Sequence, residues 1–207
     1  IKSSTALIGE SGSGKSLTLK AILNLLSSSL EVKKNISSDF ELSFDTIGFI
    51  PQNPFTSLSS MTKIKNQIFC SDEKKEEVFK LLDLPLEILE KYPSQISGGQ
   101  TQRVVIAIAL SRDIKLLLLD EPTTALDFEN KTNIINIVND LKDKLNINIL
   151  FVTHDIESIK DICDDIVIIK NGYVVEFGKT QEVLNNPQNE YTKKLLNSSF
   201  KNKKFRN

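Results

Sequence analysis

Short, unbroken runs of apolar residues recur along the chain, and segments with helical periodicity separate them. An unbroken apolar run of strand length is typical of a strand that is buried on both faces. When helices alternate with such strands, the pattern indicates a parallel sheet that is covered on both sides. The chain is therefore predicted to have an α/β fold with a mainly parallel sheet. The predicted strands are residues 5–8, 47–50, 116–119, 147–152, 166–169 and 173–177.

Helices are predicted where apolar residues return at helical spacing. The clearest cases are residues 17–26, 104–110 and 134–145, and a further helix is expected to begin at Asp155. Residues 31–44 are poorly patterned, and we interpret them as short edge strands.

Two charged segments, 62–69 and 72–82, also have helical character but lack a strong apolar face. They predict a small helical subdomain, about residues 55–97, inserted into the α/β core. The chain is expected to close with a helical tail over about residues 180–207.

The composition restricts the chain's partners. It has 207 residues, 40% of them hydrophobic, and a formal net charge of −1, which fits one α/β domain and gives no global indication of nucleic-acid binding. The basic residues after position 200 are interpreted as a solvated tail, with contact to lipid headgroups or RNA as the alternative.

The longest apolar stretch, 116–119, is too short to cross a bilayer, so a function at a membrane would need a partner protein. The two cysteines lack metal-ligand spacing and suit a reducing cytosol.

Glycines are concentrated in two loops of a chain that contains only eight. The first loop follows the strand 5–8, precedes a helix and matches the Walker A motif, whose backbone N–H groups surround phosphate oxygens. Lys15 is expected to reach the outer phosphates, and the Ser16 hydroxyl is expected to bind Mg²⁺. The residues predicted here to bind a nucleotide are Gly9, Ser11, Gly12, Ser13, Gly14, Lys15 and Ser16.

Two adjacent carboxylates follow the buried strand 116–119, at the sheet edge where ligands of open α/β folds bind. Asp120 is predicted to hold Mg²⁺, and Glu121 is predicted to polarise the attacking water. Alternation along the strand is expected to point the two side chains in different directions.

Two further side chains follow strands of the same predicted sheet. His154, the single histidine, would lie at the same edge as Asp120 if their strands are parallel neighbours, and there it could bond a γ-phosphate oxygen and the catalytic water. Gln52 could contact Mg²⁺ or water, although alone it would be interpreted as a turn residue. Glu121, His154, Gln52 and Lys15 form the predicted catalytic set; Ser16, Gln52 and Asp120 form the predicted metal set.

The second glycine loop, Ser97-Gly98-Gly99-Gln100, opens a helix and is a second anion-binding N-terminus. One nucleotide does not need two such sites in one chain. We therefore expect the second to serve a nucleotide held by another copy or a paralogue. This predicts a head-to-tail dimer with two ATP molecules in its interface.

These motifs occur in the order found in ABC ATPases, and the chain resembles that family over nearly its whole length. The match is completed by the signature Ile96-Ser97-Gly98-Gly99-Gln100, by Ala125-Leu126-Asp127 and by Thr153-His154-Asp155. The resemblance implies a RecA-like P-loop NTPase core with a helical subdomain, and ATP held between Walker A of one subunit and the signature of its partner. It also implies that Asp127 links the two sites across the dimer. Ile96 replaces the usual leucine.

The function that this resemblance implies is that of an ATP-hydrolysing transporter subunit, peripheral at the cytoplasmic face of the cell membrane. Its partners would be a second ABC ATPase subunit, transmembrane permease subunits and, indirectly, a substrate-binding protein; nucleic acid is not expected. The looser motifs 51–58, 92–93 and 175–192 are similar to peptide and nickel importers. The alternatives are a non-transport ABC ATPase of DNA repair or chromosome maintenance, and a non-hydrolysing regulatory domain.

The beginning of the chain leads to one more expectation. The first residue is Ile1, and a strand pattern begins almost at once, so we expect the sequence to be a piece of a longer protein. The family's N-terminal strands and its adenine-stacking aromatic residue would then lie upstream. No adenine-binding residue is assigned for this reason.

Overall fold

One twisted sheet organises the protein, which a computed structural model describes at residues 4–124 and 128–201. Within those residues the sheet has the strand order β2-β3-β4-β1-β5-β6. The first five strands along the chain pair in parallel, and β6 pairs antiparallel with β5. The predicted α/β fold with a mainly parallel sheet is confirmed. The strands are β1 (Ser4–Ile8), β2 (Ile47–Ile50), β3 (Leu116–Asp120), β4 (Asn148–Thr153), β5 (Asp165–Lys170) and β6 (Tyr173–Lys179).

Both faces of the inner strands of this sheet are buried, which explains the unbroken apolar runs in the sequence. Successive side chains of a strand point to opposite faces. Accordingly Leu117 and Leu119 belong to one buried cluster, whereas Leu116 and Leu118 belong to the cluster on the other face. The inner strands are therefore mostly apolar on both faces, and an alternating pattern does not arise in them.

Six α-helices lie within the described residues. The first ends earlier than predicted, because Asn24 takes a left-handed conformation (φ 57°) and the Leu25 N–H donates to the Lys20 carbonyl at 2.8 Å. Leu25 is consequently exposed, and the predicted helix 17–26 was too long. The helices are α1 (Lys15–Ile22), α2 (Asp72–Leu81), α3 (Gly98–Leu110), α4 (Phe128–Leu145), α5 (Thr180–Asn185) and α6 (Glu190–Lys201). In this part of the chain, no helix has the length and apolarity that crossing a membrane requires.

Two predicted helices are single 3-10 turns instead. In place of a helix over 62–69 the structure has Ile64–Gln67, where the Gln67 amide donates to the carbonyls of Ser59 and Thr62 at 3.1 and 2.7 Å. These side-chain bonds stabilise a local turn in competition with a longer helix. In place of a helix from Asp155 the structure has Ile156–Ser158, and the Asp155 carboxylate accepts bonds from the Glu157 N–H and the Ser158 hydroxyl.

The predicted edge strands at 31–44 are also wrong. These residues form no strand, and most of their side chains are exposed. Without a buried face the segment gains little from pairing with the sheet. Residues 54–97 contain α2 and four short 3-10 helices, Pro54–Ser57, Ile64–Gln67, Leu86–Glu90 and Pro93–Gln95. The limits proposed for a helical subdomain and for a helical tail stay predictions.

Candidate active site

The loop between β1 and α1, residues 9–14 and called here the phosphate loop, is tightly packed against the rest of the sheet. A side chain at Gly9 would bring its Cβ within 2.3 Å of the Ile169 carbonyl oxygen, so only glycine fits. Gly14 has φ 108° and directly precedes α1, a left-handed conformation that favours glycine. The backbone N–H of Gly172 donates to the Ser13 carbonyl at 2.8 Å and fixes the loop from the β5–β6 hairpin.

Lys15 leaves this loop as the first residue of α1 and is almost fully buried. Its Nζ donates to the carbonyl oxygens of Gly9 and Glu10 at 2.7 and 3.1 Å. It also lies 3.7 Å from Glu121 Oε1. The ammonium group thus connects the phosphate loop with the acid at the end of β3.

Asp120 is the last residue of β3, and Glu121 follows it with φ 48°. Glu121 therefore lies outside the strand, and the alternation that was expected to separate the two side chains does not extend to it. Burial raises the pKa of the Asp120 carboxyl, while a hydrogen bond with the Ser16 side chain opposes that rise. Asp120 and Ser16 are therefore neighbours, as a shared metal ion would require.

The Glu121 carboxylate is held by several groups at once. Its Oε2 lies 2.9 Å from His154 Nδ1 and accepts a bond from the Thr124 hydroxyl at 2.8 Å. The Glu121 side chain is 16% exposed and that of His154 is 54% exposed, so the pair lies at an open edge of the site. The parallel pairing of β3 with β4, in which Asp120 is opposite Val152, brings the histidine to this edge.

The structure thereby brings Lys15, Ser16, Asp120, Glu121 and His154 together. Gln52 follows β2, the neighbour of β3, and its side chain is exposed. Ser11 and Gly12 are exposed on the phosphate loop, whereas Ser13 is buried.

The second glycine loop begins α3. Ser97 caps this helix by accepting a bond from the Gln100 N–H at 3.2 Å, and the Gln100 side chain accepts from the Ser97 N–H at 3.0 Å. Gly98 and Gly99 form its first turn, against Phe55 and Asn130 respectively. Asp127 lies outside the described residues.

Three contributors escaped the sequence reasoning. Thr124 bonds Glu121, Gln102 donates from its amide to the Pro122 carbonyl at 2.6 Å, and Tyr191 accepts a bond from the Glu10 N–H at 3.2 Å. Thr124 and Gln102 lie close in sequence to recognised motifs, and this closeness was a weak indication that they contribute to the site. Tyr191 is separated from Glu10 by most of the chain, and only the fold reveals the contact.

The described residues fit a magnesium nucleotide. The Ser13 hydroxyl is buried without a hydrogen-bond partner in this part of the chain, which costs roughly 1–3 kcal/mol and suits a loop that takes up an anion. Ser16 and Asp120 are oxygen donors of the kind that Mg²⁺ prefers, and Mg²⁺ commonly takes only one or two carboxylates together with phosphate oxygens.

Comparison with known proteins identifies the family to which the chain is related. Residues 2–124 match the family described as ABC transporter. The oligopeptide transport ATP-binding protein OppD of Lactococcus lactis is 31% identical over 94% of this chain. The chain spans 65% of that relative's length, and 62% of the length of OppD from Bacillus subtilis.

Two solved structures share the fold. CbiO1 of Clostridium perfringens, part of an ABC transporter complex, superposes with a TM-score of 0.74 at 27% identity, over 89% of this chain and 80% of that one. The ATP-binding cassette MJ0796, a dimer in a post-hydrolysis state bound to ADP and Pi, superposes with a TM-score of 0.67 at 30% identity, over 85% of this chain and 84% of that one. The fold, the order of the site residues and the family match agree, and this chain belongs to the ABC transporter family.

Proposed function

We propose that this chain binds and hydrolyses MgATP as one subunit of a transporter's ATPase dimer. The observation that carries the proposal is the position of the Glu121 carboxylate, which is held by His154 and Thr124 and lies 3.7 Å from Lys15 Nζ. A carboxylate fixed beside a phosphate loop can orient a water molecule for attack. Lys15 would neutralise phosphate charge, and Ser16 with Asp120 would hold Mg²⁺, which stabilises the charge that develops on the phosphate oxygens.

The working unit in this proposal is a head-to-tail dimer. Ser97 and Gly98 are exposed at the start of α3, where a partner subunit's nucleotide could bind. The dimeric form of MJ0796 bound to ADP and Pi supports a dimer as the working unit. The partner would be an identical or a paralogous chain, and Asp127 would link the two sites.

The transport role is proposed from the relatives. OppD is named for oligopeptide transport, and CbiO1 is part of a transporter complex. We infer that this chain drives peptide import through a permease at the cytoplasmic face of the membrane; nickel import rests on motif resemblance alone. In vesicles that contain the permease and its binding protein, peptide should stimulate ATP hydrolysis. Stimulation by Ni²⁺ and not by peptide would contradict the peptide assignment.

The substitution Glu121→Gln tests the catalytic assignment. The amide keeps the size of the side chain but cannot act as a base, so we expect ATP binding to persist, a dimer to accumulate with ATP, and turnover to fall by about a hundredfold or more. ATPase rate and gel filtration with ATP measure the two effects. Glu76→Gln, an exposed position on α2, is the matched control and should behave as wild type. Near-normal hydrolysis by Glu121→Gln would refute the role of Glu121, and a wild-type protein that binds ATP without hydrolysis would favour a regulatory domain.

A further inference from the structure

The C-terminal helix α6 contacts the phosphate loop directly. The backbone N–H of Glu10, the second residue of the Walker A motif, donates to the Tyr191 hydroxyl oxygen at 3.2 Å. Tyr191 is the second residue of α6 and is buried. The bond thus joins two segments that lie almost at opposite ends of the described chain.

The Gly9–Glu10 peptide unit is held from both sides. Its carbonyl oxygen, that of Gly9, accepts a bond from Lys15 Nζ at 2.7 Å. Its N–H, that of Glu10, donates to the Tyr191 hydroxyl oxygen. Loss of the bond to Tyr191 would leave this peptide unit free to rotate, and the Gly9 carbonyl that holds Lys15 would rotate with it.

Tyr191 is itself held in place by other residues of the motif 175–192. The Glu176 carboxylate on β6 accepts bonds from the backbone N–H groups of Gln188 and Asn189 at 2.7 and 3.1 Å. The Asn189 side chain accepts from the Tyr191 N–H at 2.8 Å, and Lys170 Nζ lies 4.7 Å from the centre of the Tyr191 ring. Both α6 and the tyrosine ring are therefore oriented toward the loop.

We propose that Tyr191 is a positioning residue for nucleotide binding, and that α6 and the bound nucleotide stabilise each other through Glu10. This inference rests on the proposed function and extends it to a segment that contains no phosphate-binding motif. Coupling between two sites is reciprocal. If α6 stabilises the conformation of the phosphate loop that binds ATP, bound ATP must in turn reduce the local unfolding of α6.

The substitution Tyr191→Phe tests the proposal, because it keeps the ring and removes only the hydroxyl group. We expect the Kd and KM for MgATP to rise about three- to tenfold, the effect of one lost hydrogen bond, with kcat changed by less than about twofold. Tyr173→Phe is the matched control, since Tyr173 on β6 is 76% exposed, and it should bind ATP as wild type does.

Hydrogen exchange supplies the second measurement. In the wild-type protein, MgATP should slow amide exchange in residues 188–196, and in Tyr191→Phe this protection should be reduced. Unchanged ATP affinity in Tyr191→Phe, equal protection in both proteins, or a fall in kcat at constant KM would each overturn the inference. A wild-type protein that binds no ATP would instead overturn the proposed function, and this inference with it.

Discussion

At the scale of single residues, the fold places the Asp120 carboxyl where burial disfavours its charged form. Burial raises the pKa of the Asp120 carboxyl, and the neighbouring Glu121 raises it further, while Ser16 opposes the shift. Because the folded-state pKa lies above the unfolded-state value, the stabilising contribution of Asp120 falls as the pH rises through the interval between the two. A divalent cation bound beside Asp120 would offset this loss of stability, because it favours the charged carboxylate.

Asp120→Asn should consequently stabilise the protein and inactivate it. Without nucleotide or Mg²⁺ we expect a Tm increase of a few degrees at neutral pH, since the buried charge is gone, together with loss of Mg²⁺-dependent ATP hydrolysis. Thermal unfolding at several pH values and an ATPase assay measure both effects. Asp113→Asn removes an exposed carboxylate and serves as the control. A lower Tm for Asp120→Asn than for the control would contradict the argument.

The buried cysteine gives a second prediction at this scale. Burial raises the pKa of the Cys163 thiol to about 12, so almost no reactive thiolate exists at pH 8. We expect a thiol reagent to modify Cys163 only after unfolding, whereas the less buried Cys70 should react in the folded protein. Mass spectrometry after brief labelling distinguishes the two. Fast labelling of Cys163 in the native protein would contradict this prediction, because it would show that the thiol is accessible without unfolding.

At the scale of elements, α3 links the two halves of the proposed chemistry. Its N-terminus is formed by the second glycine loop, whose Ser97 caps the helix. One turn further along, the Gln102 amide donates to the Pro122 carbonyl at 2.6 Å. Pro122 directly follows Glu121, the residue in the left-handed conformation. The helix that would serve a partner's nucleotide thus also supports the acid of this chain's own site.

Gln102→Ala tests this link. Removal of a buried amide leaves the Pro122 carbonyl without its donor, so we expect the free energy of unfolding to fall by about 1–3 kcal/mol and kcat to fall with it. Denaturant unfolding and ATPase assays measure these changes. Gln181→Ala removes an exposed amide that also donates to a carbonyl, that of Lys160, and should cost much less. Equal losses in the two variants would exclude a special role for Gln102.

At the scale of the whole molecule, the proposed dimer would divide the two glycine loops of one chain between two composite sites. The phosphate loop lies beside Glu121, while the Ser97 loop begins a helix elsewhere on the chain. A head-to-tail dimer closes two identical sites because each subunit supplies the part that the other lacks.

Mixing two inactive variants tests the head-to-tail arrangement. Lys15→Ala damages one half of the composite site and Ser97→Arg damages the other, so each homodimer should be inactive. A mixed dimer keeps one intact site, and an equal mixture should recover about a quarter of the wild-type rate. The ATPase rate of the mixture, compared with each variant alone, is the measurement. A mixture no more active than its components would contradict a symmetric head-to-tail homodimer.

The sequence by itself determined the sheet and most of the site. Strands buried on both faces have to be apolar throughout, so β1 to β5 were recognisable within a residue or two. Glycines and carboxylates at strand ends marked the candidate site because the phosphate and metal chemistry proposed for it requires them at those positions. Both signals are local, and a local signal can be recognised without the fold.

Only the tertiary structure decided the contacts between distant segments. The left-handed turn at Glu121, the bond between Gln102 and Pro122 and the reach of Tyr191 to Glu10 each depend on how the strands and helices pack. The mistaken helices at 62–69 and after Asp155 have a related cause, since side-chain bonds to the backbone compete with helical periodicity. Periodicity records which face of an element is buried, but it does not record which partner that face will meet.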